Sequence, residues 1–263
     1  MYKIVEPFCE PHEIINHMEE GYCEMSPEEH GFLCGLIKEK SPNKIVEVGV
    51  AGGGTTAVIM KCLDMVNPSA KMYSCDLNKI CYRRKDKMTG YQLDEVKEEL
   101  GNYSNHKLLL GGILPQFMEQ IGNNIDLCVL DTVHAMPGEI LDFLTILPYL
   151  SDGAVCILHD TANNLLGKYK DAFATKILFD SVYAEKYYDF LNANLNIGAF
   201  VVDNRTREYI ANVFSSLSIT WAYEPTIREL MAYRDVFKKF YDEECLTLFD
   251  IFWEMNHEML LKK

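Results

Sequence analysis

The run from Lys44 to Thr56 reads KIVEVGVAGGGTT, and its reading decides the fold. Ile45, Val46 and Val48 form a β-rich run that breaks into clustered glycines. Thr55 and Thr56 follow, and then the helix-compatible segment 57–63. The order is strand, tight turn, helix. Such a turn leaves backbone N–H groups free at a helix N-terminus, where a carboxylate or phosphate can sit. Glycine suits the turn because it reaches φ > 0 and lets a ligand approach the backbone without a Cβ in the way.

Outward from this turn, strands and helices alternate as far as residue 160. Residues 71–75 read as a strand ending at Asp76, 106–110 as one closed by Gly111 and Gly112, and 125–130 as one ending at Asp131. Residues 154–158 are a further strand, ending at His159 and Asp160, preceded by a turn at Ser151-Asp152-Gly153. Helices are predicted over 93–100, 114–121 and 138–147. The apolar strands lack polar alternation, which suits a sheet covered on both faces. The pattern predicts an α/β fold with a doubly wound, mostly parallel sheet, whose ligands bind at the C-terminal strand ends.

Upstream, Ser26, Pro27 and Glu29 form a capping-box helix start, with a helix expected to about Lys40 and a short one around residues 13–19. Downstream, residues 169–188 read as helical and 197–202 as a strand added at the sheet edge. Residues 226–261 read as helical and rich in aromatics. The expected organisation is an N-terminal helical segment (1–40), an α/β domain (41–203) and a helical extension (204–263) packed on that domain or on a partner subunit. The last option implies a homodimer through the C-terminal helices.

With 263 residues the chain fits one large domain or two small ones. A net charge of −14 argues against nucleic-acid or anionic-membrane partners. The nine cysteines are scattered, odd in number and without a C-x-x-C pair, as expected of a reduced cytoplasmic protein. Neither a signal peptide nor an apolar run of membrane-spanning length is evident.

The glycine turn lacks the G-x-G-x-x-G of dinucleotide binding and the Gly-Lys-Ser/Thr of a P-loop. Its pattern is E-x-G-x-x-x-G-x-[ST]-[ST], carried by Glu47, Gly49, Gly53, Thr55 and Thr56. This resembles motif I of class I S-adenosylmethionine (SAM)-dependent methyltransferases, in particular their O-methyltransferase branch, and implies the Rossmann-like fold of that class. Carried over, the resemblance sets Glu47 toward the cofactor's α-ammonium, Gly49 and Gly53 against its methionyl chain, and the Thr55 hydroxyl on its carboxylate. Gly111 would lie on the adenine side. Asp76 fits independently, since a carboxylate ending the second strand about 20 residues past the glycines can accept from both ribose hydroxyls.

A second constellation runs Asp131-Thr-Val-His134, then Gly138, then an apolar strand into His159-Asp160. It resembles the macrocin and rhamnosyl O-methyltransferases and the cephalosporin-hydroxylase-like proteins. The resemblance implies that Asp131 and Asp160 bind a divalent cation, usually Mg²⁺, and that His134 is general base, so that His134 and Asp131 are the catalytic candidates. It also implies a small hydroxylated acceptor, such as a sugar or a nucleotide-linked sugar, and hence carbohydrate modification. The basic segment 79–87, with Tyr82, Arg83, Arg84 and Lys85, is a candidate lid for an anionic acceptor.

Two departures stand out. Thr161 follows Asp160 where the catechol-type enzymes have Asn, and Gly111-Gly112-Ile113 lacks the usual polar residue toward adenine. Read without the resemblance, His134 is also compatible with a helix-start residue and His159 with a hydrogen-bonded core histidine. Asp131 and Asp160 are equally compatible with turn caps. An NAD(P)-dependent oxidoreductase and a catalytically inactive SAM-binding protein are the competing readings.

Overall fold

The computed structural model describes residues 3–15, 24–101, 103–166, 170–188 and 196–260. Its N-terminal part holds α1 (Glu10–Ile15) and α2 (Pro27–Lys40), and the latter starts as its sequence requires. The Ser26 hydroxyl accepts from the Glu29 amide, and the Glu29 carboxylate accepts from the Ser26 amide at 2.6 Å. The helix expected around 13–19 starts earlier, at Glu10, and residues 16–19 lie outside the described residues.

Alternation then follows: β1 (Lys44–Val48), α3 (Gly54–Val66), β2 (Lys71–Asp76), α4 (Gln92–Glu95), β3 (His106–Leu110), α5 (Leu114–Ile121), β4 (Ile125–Leu130), α6 (Gly138–Ile146) and β5 (Leu150–His159). The C-terminal part holds α7 (Ala174–Ser181), β6 (Glu185–Tyr188), β7 (Ile197–Val201), α8 (Asn204–Glu208), α9 (Ala211–Ser216), α10 (Ile227–Phe240) and α11 (Glu243–Leu260). Among the described residues seven strands make one sheet in the order β3-β2-β1-β4-β5-β7-β6. Neighbours from β3 to β5 are parallel, whereas β7 runs antiparallel to both β5 and β6. This is the doubly wound, Rossmann-like class I methyltransferase fold, with a buried apolar layer on each face of the sheet.

Four expectations are corrected. The helix over 93–100 shrinks to α4, because its later residues turn rather than continue. Ser151-Asp152-Gly153 is no turn between elements. It lies inside β5, where the pairing with β4 slips between Ile125 and Leu127 and Gly153 takes φ +80°. The helix over 169–188 stops at Ser181, and residues 185–188 become a strand. Strand β7 is consequently interior, and β6 forms the edge.

The aromatic C-terminal segment folds as a helical hairpin over one sheet face. Phe237 packs edge-on against Phe214 and Phe249, with ring centroids 5.5 and 5.2 Å away. The buried Asn256 amide ties α11 to the connection between α9 and α10, accepting from the Trp221 amide and donating to the Leu217 carbonyl. No helix among the described residues is long and apolar enough to cross a membrane.

Candidate active site

The C-terminal ends of β1, β2, β4 and β5 converge. Gly49 has φ +99°, and a Cβ there would lie 1.8 Å from the Asp131 carbonyl oxygen. Glycine at this position is what lets the ends of β1 and β4 meet. Gly53, at φ +96°, precedes α3 and offers no side-chain cap to its first turn. The segment after the basic stretch folds onto this turn, with Gly90 donating to the Ala51 carbonyl and Gln92 to that of Gly52.

Glu47 is buried on β1, where one carboxylate oxygen accepts from the Thr56 hydroxyl at 2.8 Å. The other oxygen, Oε1, is buried without a hydrogen-bond partner. Burial pushes this carboxyl up to about 7, against the hydrogen bond from Thr56 and with Asp131 and Asp76 adding to the push. A buried acceptor of this kind suits a ligand cation, and the expected α-ammonium fits it. Asp76 ends β2 and ties the loop from below: Oδ2 accepts from the Val50 and Ala51 amides at 3.0 and 3.2 Å, and Oδ1 from Asn78. Gly111 has φ +85°, and the aliphatic stem of Lys79 covers it.

Asp131, His134 and Asp160 each bring one ligand atom within 4.8 Å of the others, a geometry able to hold a metal ion. His134 Nε2 lies 3.0 Å from Asp160 Oδ2 and 3.7 Å from Asp131 Oδ1. Both His134 and Asp160 take left-handed backbone angles, φ +57° and +61°. Non-glycine residues seldom adopt these, and they concentrate where function dictates geometry. Behind His134, one oxygen of the buried Glu139 accepts from the His134 amide at 2.6 Å and the Thr132 hydroxyl at 3.0 Å, and lies 3.3 Å from the ring Nδ1. Burial works to lower the affinity of this imidazole for a proton. Glu139, Asp131 and Asp160 outweigh it and hold the group up at about 9.

His159 is buried between two carboxylates, its Nδ1 3.1 Å from Asp131 and its Nε2 3.4 Å from Glu29. Burial disfavours its charged form, but the pull of Asp131 and Glu29 raises it well above an ordinary histidine. The imidazole is therefore a fixed cation under the site, and it holds Asp131 ionised against burial. This matches the hydrogen-bonded buried histidine that sequence alone allowed.

Sequence reasoning missed several members of the site. Glu29 was legible only as a helix cap, and Glu139 and Thr132 carried no motif. Asn163 and Asn196 donate amide hydrogens to the two oxygens of Asp160, at 3.1 and 2.6 Å. The basic segment is largely self-satisfied: Arg83 pairs with Glu24, Arg84 with Asp86, and the Tyr82 hydroxyl donates to Glu24.

Against known proteins, residues 46–161 match a family model described as a methyltransferase domain. No curated protein sequence matches the chain. Solved structures share the fold. An O-methyltransferase from Bacillus cereus in complex with SAH is 14% identical over 73% of this chain and 89% of its own, with a TM-score of 0.52. The O-methyltransferase TomG from Streptomyces achromogenes, involved in tomaymycin synthesis and bound to SAM, is 14% identical over 74% and 87%, with a TM-score of 0.50. The cofactor-bound protein Rv0187 from MTB reaches 0.53 at 14% identity, over 74% and 89%.

Proposed function

We propose that this chain, residues 46–161 of which match a methyltransferase-domain model, is a SAM-dependent enzyme that transfers the methyl group to a hydroxyl oxygen of a sugar or similar small acceptor, with His134 as base. The observation that carries the reading is the His134 imidazole, backed by Glu139 on one side and facing Asp131 and Asp160 on the other. When bound, SAM supplies an electrophilic methyl group on a sulfonium. Glu47, Gly49, Gly53, Thr55, Asp76 and Gly111 would hold it, with the orphaned Glu47 oxygen toward its ammonium.

In the transfer, the acceptor oxygen forms a bond to the methyl carbon and the S–CH₃ bond breaks, leaving its electron pair on sulfur. The hydroxyl proton passes to Nε2 of His134 in its neutral form, which prevails only at alkaline pH while Glu139, Asp131 and Asp160 hold the imidazole up at about 9. In-line attack needs the two reacting atoms aligned, and a positioned base then removes the proton. Asp131 and Asp160 would hold a divalent cation, Mg²⁺ by the donor chemistry of two carboxylates, whose role is Lewis-acid polarisation of an oxygen. One Nε2 lone pair cannot both ligate that cation and accept the proton, and the backing by Glu139 favours the base.

The sugar acceptor and the kinship with the macrocin-type enzymes rest on the spacing Asp131-x-x-His134 and His159-Asp160. A second copy is proposed to dock on the α10–α11 hairpin, where Met231, Met255 and Met259 are exposed; a monomeric mass by light scattering would exclude it. A labelled-methyl transfer screen over glycosides and sugar nucleotides tests the activity. His134→Ala and Asp131→Ala are expected to abolish turnover while SAM affinity stays nearly intact. Normal turnover in both variants would refute the assigned roles, and undiminished turnover in excess chelator would remove the cation.

A further inference from the structure

Between the basic segment and α4 the chain crosses the glycine turn and brings an unused amide onto it. Gln92 is fully buried, and neither its Nε2 nor its Oε1 has a hydrogen-bond partner among the described residues. The side chain rests on Gly52, where a Cβ would lie 2.7 Å from Oε1 and 3.3 Å from Cδ. The backbone fixes the same contact: the Gln92 N–H donates to the Gly52 carbonyl at 3.0 Å, and that of Gly90 to Ala51 at 2.9 Å. Gly53 follows as N-cap of α3, whose first turn has no side-chain cap.

A primary amide held this way destabilises the free protein, because its donor and its acceptor both lose water and gain no hydrogen bond. A methionine or leucine in the same space carries no such cost. What Gln92 adds over an apolar side chain is one donor group and one acceptor beside an uncapped helix start. That helix start favours a carboxylate. The amino-acid end of SAM presents both complements together, a carboxylate that accepts and an ammonium that donates.

We propose that Gln92 is a cofactor-binding residue for the amino-acid end of SAM. Cofactor entry draws its side chain off Gly52, with Nε2 donating to the carboxylate and Oε1 accepting from the ammonium. The ammonium has three hydrogens, so Gln92 and Glu47 can share it. The inference rests on SAM occupying the glycine turn as proposed above. An adenine edge also offers a donor and an acceptor, but that reading sets adenine toward Gly111, at the end of β3.

Stability and affinity should move in opposite directions when the amide is removed. Gln92→Met and Gln92→Leu are compared with wild type in urea without ligand, and in calorimetric titrations with SAM and with 5′-methylthioadenosine, which lacks the amino-acid end. Both variants should unfold at a higher urea midpoint than wild type. Both should bind SAM about tenfold more weakly, as for a lost hydrogen bond to a charged group. Their affinity for 5′-methylthioadenosine should stay within about threefold of wild type. A lowered midpoint in both variants, undiminished SAM affinity, or equal losses for the two ligands would overturn the assignment. A wild-type protein that binds no SAM would instead overturn the cofactor reading beneath it.

Discussion

Glu47 offers a thermodynamic signature of cofactor binding that needs no acceptor. In the folded chain its carboxyl is raised to about 7, and one buried oxygen has no partner. At pH 6 a group with that affinity is roughly nine-tenths protonated. An ammonium brought against Oε1 favours the ionised form, so binding SAM should expel close to one proton, about 0.9 per ligand. Between pH 6 and pH 7 the ionised fraction rises from about one in eleven to about one half, so affinity should tighten by roughly fivefold. The ligand's own α-ammonium stays charged over that interval. Calorimetric titration at pH 6 in two buffers of different ionisation enthalpy measures the proton count directly. Glu47→Gln removes the titrating group, and both the proton release and the pH dependence should disappear with it. No proton release from the wild type, or an equal release from Glu47→Gln, would refute the placement of the ammonium.

The same substitution bears on stability. The folded carboxyl lies above its ordinary 4.5, so its favourable contribution is full below about 4.5 and is lost as pH rises through 7. Wild type should lose roughly 3 kcal/mol relative to Glu47→Gln across that window, and parallel urea-unfolding profiles from pH 5 to 8 would contradict it. Gly49→Ala would drive a Cβ to 1.8 Å from the Asp131 carbonyl at φ +99°; we expect SAM binding to be lost, and wild-type affinity by calorimetry would discard the proposed turn geometry. Phe237→Ala empties a fully buried ring site between Phe214 and Phe249, at an expected cost of about 3–5 kcal/mol. A change below about 1 kcal/mol in urea would mean the hairpin is not packed as described.

The sheet was legible because its strands are short apolar runs ending in chemistry: Gly49, Asp76, Asp131 and Asp160 each close one. Hydrophobic period could not reveal β6, since Glu185-Lys-Tyr-Tyr188 is an edge strand with a polar face and no apolar run. Nor could local turn preference anticipate that Ser151-Asp152-Gly153 continues a strand. Pairing with β4 and a slip in register override it there. In the site, residues on motif-bearing strand ends could be singled out as candidates from the sequence, and their supports could not. Glu139 sits on a helix with no spacing to announce it. Asn196 reaches Asp160 from a strand start 36 residues away, a contact only the tertiary fold creates.

The start of α2 has a consequence for how this protein opens. One oxygen of Glu29 closes the helix cap with Ser26, and the other faces His159 beneath Asp131. The same carboxylate thus belongs to a secondary-structure boundary and to the charge network of the site. Fraying of the first helical turn withdraws a counter-charge from His159, and displacement of His159 removes a reason for Glu29 to stay in place. Local unfolding at this point is therefore shared rather than private: the Ser26 amide should exchange with solvent deuterium at a rate that reports on the electrostatic integrity of the strand ends.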